Sequence, residues 1–187
     1  MNTFYNRAIK LLLLSNGLIL ISGAMLGPIY ALFVAEVGGD LFDASLTGGI
    51  FALAAGITSL FSGRLTDKIK HKENIIFFGY VFMGIGFYLY SFVSGIYFLF
   101  MVQLLIGFSE AFYAPSFDAL YSKHLAKTKR GRVWGAWESM NYFSIAIGAV
   151  LGGFIASRYG FDILFYGMAL LSICSGLIVF FTRKEMF

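Results

Sequence analysis

The sequence predicts an all-α integral membrane protein: six transmembrane helices in a single membrane domain over residues 1–187. Three observations predict it. Hydrophobic residues make up 59% of the chain and charged residues 13%, about half the charged fraction of a soluble domain. Six apolar runs reach about the 20 residues that a helix needs to cross a bilayer. The charges lie almost entirely between these runs, and basic connections alternate with acidic ones. Transmembrane β-strands would be shorter and would alternate apolar with polar residues. That pattern is absent, so the spans are helices.

The first run, Ala8–Val37, follows Arg7 and Lys10. These cations, the apolar Leu11–Ile21 core and Ser22-Gly23-Ala24 have the layout of a cleavable signal, but the run continues uncharged to Ala35. That is too long for a signal peptide, and the run is read as a span. The second run, Ala44–Ser62, carries small residues at four-residue spacing: Gly48, Ala52 and Gly56 in one row, Ala55, Ser59 and Gly63 in another. Such rows let helices approach closely in lipid. The third, Ile75–Phe92, is studded with aromatics. The fourth, Ile96–Tyr121, aligns Gln103, Gly107, Glu110 and Ala114 on one face, with Pro115 beside them. The fifth, Val133–Ser157, aligns Glu138, Asn141, Gly148 and Gly152, again one helical face. The sixth, Ile163–Thr182, has no charged or amide side chain, and neither has the third. This sorting places spans three and six at the lipid-facing periphery, with one, two, four and five nearer the centre.

Of the fourteen Lys and Arg residues, only Arg158 falls on one side of this arrangement; the others flank the termini and the 2–3 and 4–5 connections. They include Lys127, Lys129, Arg130 and Arg132 before span five and Arg183 and Lys184 at the C-terminus. The opposite connections hold Glu36, Asp40, Asp43 and Asp162. Under the positive-inside rule both termini are cytoplasmic, in the plasma or inner membrane. Short basic loops beside a bilayer are poor nucleic-acid sites, and no nucleic-acid partner is expected. The single Cys174 forms no internal disulfide, and His71 and His124 make no metal cluster. No cofactor, metal or catalytic residue is expected: the chain has no nucleophile–base pair and no phosphate-cradling glycine loop.

Asn16, Gly23, Gly27 and Tyr30 give span one a polar face of its own. Three polar faces on three helices predict a polar cavity, with Glu110, Gln103, Asn16, Asn141 and Tyr30 as candidates for binding a solute or a coupling proton. Glu110 carries most weight, because an ionisable group in mid-membrane is costly and marks a functional site by default. The bland alternative is a structural acid that joins two helices. Glu138, nearer the basic end, reads as a cap or loop ion pair.

The 2–3 connection, Gly63-Arg-Leu-Thr-Asp-Lys-Ile-Lys-His-Lys72, resembles the signature loop of the major facilitator superfamily, G-x-L-x-D-[RK]-x-G-[RK]-[RK]. Gly63, Leu65, Asp67, Lys68 and Lys72 match; Lys70 replaces a glycine, and His71 stands where arginine or lysine is usual. The stretches APSFDALYSKHLAKTKRGRVWGAW and GAVLGGFIASRYGFDILF are also similar to that family. The resemblance covers essentially the whole chain. It implies two inverted three-helix repeats, about 1–93 and 94–187, forming the N-terminal half of a twelve-helix secondary carrier for a small solute. It also implies a cytoplasmic latch. Asp67 would meet a helix N-terminus of the other half, and a basic residue, His71 or Arg64, would pair with Asp118. Gln103 stands where many proton-driven members carry arginine, and Gly148-Ala149 where drug antiporters carry Gly-Pro, so the substrate is left open. Three arrangements follow: a piece of a longer transporter, a half-transporter that pairs with itself or with another chain, or a membrane scaffold without transport.

Overall fold

The computed structural model describes residues 7–124 and 130–183. Lys127, Lys129 and Lys184 lie outside the described residues. Six helical segments are long and apolar enough to cross a membrane, and together they make a multi-pass membrane protein.

Span one is broken. Helix α1 (Arg7–Ala24) gives way to a 3₁₀ turn at Gly27–Ile29, and α2 (Tyr30–Glu36) completes the crossing. Pro28 lies in that turn, where its missing N–H and fixed φ suit a first turn but not a helix interior. Gly38, at φ 86°, turns the chain into α3 (Leu41–Lys68), which starts at a reciprocal cap: Asp43 N–H donates to Asp40 Oδ1 at 2.9 Å, and Asp40 N–H to Asp43 Oδ2 at 3.0 Å. Two orphan amides are thereby satisfied. Helix α3 runs through Gly63, Leu65, Asp67 and Lys68, so most of the signature stretch is helical and only 69–71 link it to α4 (Lys72–Leu89). Helices α5 (Ile96–Lys123), α6 (Arg130–Tyr159) and α7 (Phe161–Thr182) follow, α5 continuing through Pro115.

The helices pack in a series: α3 on α5, α5 on α4, α4 on α7, α7 on α1, and α1 on α6. By span number the order is 2–4–3–6–1–5. Exchanging spans one, two and three for four, five and six returns the same series reversed. Spans one and four cross in opposite directions, so this symmetry is that of two inverted repeats.

Within this unit the order sets spans three and six in the middle and spans two and five at the ends, and spans three and six each keep an exposed apolar face, with Phe78 and Ile85 on one and Ile163 and Leu170 on the other. Helices α4 and α7 form the middle of the series and bury Tyr80, Met83, Phe87, Leu164, Phe165 and Met168. Helices α3 and α6 end it. In α3 the buried residues are Thr47, Ser62 and Thr66, and a Cβ added at Gly48, Gly56 or Gly63 would meet nothing within 4 Å. Tyr80, Phe87 and Tyr90 of span three turn inward because α5 and α7 both present them with surface to cover, while Phe78, Tyr88 and Phe92 stay exposed. Among the described residues, no helix packs against the row through Gly48, Ala52 and Gly56, all three of which are exposed.

Close approach occurs at other glycines. A Cβ on Gly107 of α5 would strike the Phe51 carbonyl of α3, and one on Gly148 of α6 would lie 2.6 Å from the Ile21 carbonyl of α1. Hydroxyls tie α3 to α5 and α1 to α7: Ser62 Oγ donates to Ala111 O at 2.6 Å, Thr66 meets Ser116 at 2.7 Å, and Ser22 Oγ donates to Met168 O at 2.7 Å. Water cannot satisfy these groups in the hydrocarbon layer, so the bonds fix helix register as well as proximity.

Candidate functional site

The break in span one positions the first side chain. Tyr30 opens α2 directly after the 3₁₀ turn, and its hydroxyl accepts from Gln103 Nε2 of α5 at 2.5 Å. Gln103 is buried, and this bond satisfies an amide that would otherwise be costly at that depth. Glu110 lies seven residues on, two helical turns along the same face of α5. Asn141 reaches the same space from α6. Tyr30, Gln103, Glu110 and Asn141 thus line one cavity of about 400 Å³ between the arms of the series. Glu110 is exposed within it. No Lys, Arg or His is among the described residues that line the cavity.

Asn16 does not join them. It is buried on α1, where its Oδ1 accepts from Tyr80 Oη at 3.2 Å. On α1 the cavity lining runs from Ile19 through Gly23, so Asn16 lies short of it along the helix. Its role here is to tie α1 to α4. Tyr80→Phe should therefore lower stability by about 1 kcal/mol, read as a lower midpoint of thermal unfolding in detergent, without altering the cavity.

The structure adds aromatic walls that the polar pattern did not reveal: Phe51, Phe87, Tyr90 and Tyr113. Tyr113 could have been found, because it lies one turn beyond Glu110. Phe87 and Tyr90 could not, since an aromatic in a membrane helix has the same sequence signature facing lipid or facing a cavity.

At the basic end, Arg64, Asp67, Lys68 and Asp118 are exposed, and Thr66 beside them is buried against Ser116. His71 Nδ1 lies 2.9 Å from Glu73 Oε1, a partner not expected from the sequence. Lys72 Nζ donates to Thr66 O at 2.6 Å and Ile69 O at 3.0 Å, covering carbonyls that the end of α3 leaves open, as a cation at a helix C-terminus does.

Comparison with known proteins agrees with this architecture. The family model described as Major Facilitator Superfamily matches residues 12–186. The chain is 28% identical over 160 residues to the uncharacterized MFS-type transporter MJ1560 of Methanocaldococcus jannaschii, covering 86% of this chain and 41% of that protein. It is 22% identical over 158 residues to the uncharacterized MFS-type transporter YitZ of Bacillus subtilis, covering 84% of this chain and 96% of that protein. Among solved structures, the POT family transporter PepTSo superposes with a TM-score of 0.79 at 14% identity, over 97% of this chain and 38% of that one. The chain therefore spans less than half the length of the archaeal relative and of the solved transporter, and nearly all of the Bacillus protein.

Proposed function

Because this chain belongs to the Major Facilitator Superfamily, we propose that it forms one six-helix half of a secondary carrier that moves a small solute across a membrane. The observation that carries this reading is the cavity where the Gln103–Tyr30 pair, Glu110 and Asn141 converge among membrane-spanning helices. The second half is another stretch of chain or a second copy. The unpartnered row of α3 is the surface left for it, with small residues that permit close helix contact. Glu110 is the group proposed to exchange a proton during transport, being the carboxyl in the cavity lining.

The basic end faces the cytoplasm in this reading, following the charge bias of the connections. Asp67, Lys68, Arg64 and Asp118, exposed there, form the latch that engages the other half when the carrier is closed on that side. Lys72, already bound to the end of α3, holds the latch segment in place instead of crossing to the partner, and Glu73 is the residue that holds His71.

The native mass of the purified chain in lipid nanodiscs, followed by solute flux in proteoliposomes, tests the arrangement. A dimer that transports is expected for a self-pairing half. A stable monomer without flux would overturn self-pairing and require a different second half. A stable dimer without flux would favour the scaffold reading.

A further inference from the structure

The cavity carries charge of one sign only. Glu110 lines it, and no basic side chain lines it among the described residues. Glu110 is exposed to the cavity, where water can solvate its carboxylate; once a solute with an apolar body displaces that water the ion needs a compensating charge, because an unpaired ion in a low-dielectric setting is costly. The fold offers none from the cavity wall. A proton can supply that charge, and so can a positively charged solute. The remaining wall discriminates between solute classes. Phe51, Phe87, Tyr90 and Tyr113 present aromatic surface, which attracts cations through the ring quadrupole, more strongly where water is excluded. One N–H of the Gln103 amide is engaged with Tyr30, and no cationic side chain lines the cavity among the described residues to neutralise an anion.

A second pocket lies at the acidic end. It has a volume of about 390 Å³, with Glu36 and Asp162 exposed at its rim and Phe33, Phe165 and Tyr90 in its wall. Tyr90 stacks on Phe165 with centroids 5.0 Å apart, and Phe33 meets Tyr90 edge-on at 5.6 Å. Tyr90 is 4% exposed. It lines both this pocket and the central cavity, so the two share one wall. Both combine carboxylate with aromatic surface.

We propose that the solute bound in the central cavity is an organic monocation, a compact ammonium-type head on an apolar body, with Glu110 as its counter-ion and the Tyr90–Tyr113 aromatic wall as its cage. The acidic-end pocket is its first station, and Tyr90 stands between the two. The proposal rests on the carrier reading above and names its substrate class. The cavity volume falls in the range of small-molecule sites. A neutral solute of the same shape would leave Glu110 without compensation, and an anionic one would be repelled by it.

The test uses three probes of nearly one shape and different charge: benzyltrimethylammonium, its uncharged carbon isostere neopentylbenzene, and benzylsulfonate. Binding to the full chain in nanodiscs is measured by thermal shift, since a ligand of the native state raises its melting point, and by equilibrium binding, with empty nanodiscs as control. The ammonium probe is expected to bind at least about tenfold more tightly than the other two. Glu110→Gln and Tyr113→Leu should each weaken it by about tenfold, and Glu110→Asp should retain most of the affinity. If the isostere or the sulfonate binds as well as the ammonium, or Glu110→Gln binds the ammonium unchanged, the cation assignment is overturned and the carrier reading stands. If no probe binds and proteoliposomes show no flux of any solute class, both fall.

Discussion

Gly152→Ala is expected to destabilise the protein by about 3 kcal/mol, while Gly153→Ala, one residue on, is neutral or slightly stabilising. A Cβ on Gly152 would occupy the space of the Met25 backbone, including its carbonyl. Backbone cannot swing aside as a flexible side chain can, so α6 would have to retreat from α1 along its length, and overpacking of that kind costs about 1–3 kcal/mol or more. Gly153 meets nothing within 4 Å. There, replacing glycine relieves the entropy cost it imposes in a helix, about 0.5–1 kcal/mol. Unfolding in a detergent titration reads both variants. Equal stability of Gly152→Ala and the parent would show that α1 and α6 do not pack at this distance.

Glu110→Gln should abolish transport with folding intact. Glu110 is exposed in the cavity, and no hydrogen bond or ion pair ties it to the described residues, so removing its charge takes no contact from the fold. Yield and native mass should match the parent. Solute flux should fall by about a hundredfold or more, the effect of losing roughly 3 kcal/mol from the rate-determining state. Undiminished flux would remove Glu110 from the transport path. Lost yield instead of lost flux would make it a structural acid.

The spans were legible because the bilayer sets one length and one composition for any helix that crosses it. The reciprocal caps at Asp40 and Asp43 and the glycine turn at Gly38 are local chemistry that bounds the helices. What the sequence did not disclose is which face meets which neighbour. Gly48 and Gly56 are open while Gly107, Gly148 and Gly152 are pressed against backbone, although all five sit in small-residue contexts. A small-residue row states that close packing is possible, and says nothing of whether its partner belongs to the same unit. The polar residues were more informative, because each must find a partner or a cavity. Tyr30, Gln103, Glu110 and Asn141 share a space for that reason. Asn16 found Tyr80 instead, because a shared face says nothing of how far along the helix the cavity extends.

The order of helices in space also governs when the protein can become itself. Span one packs chiefly on spans five and six, and span two on span four, so the first two helices to be made gain little from each other. At about 5–20 residues per second, roughly 8–30 s separate the emergence of Ala24 from that of Thr182. During that interval Ser22 lacks Met168, and Asn16 waits for Tyr80. The first helix must therefore lodge in the bilayer with polar groups unmet, held by lipid headgroups or by the insertion machinery. Synthesis slowed between spans two and five would prolong that exposure, and degradation of nascent chains would rise before any change in the finished molecule could be seen.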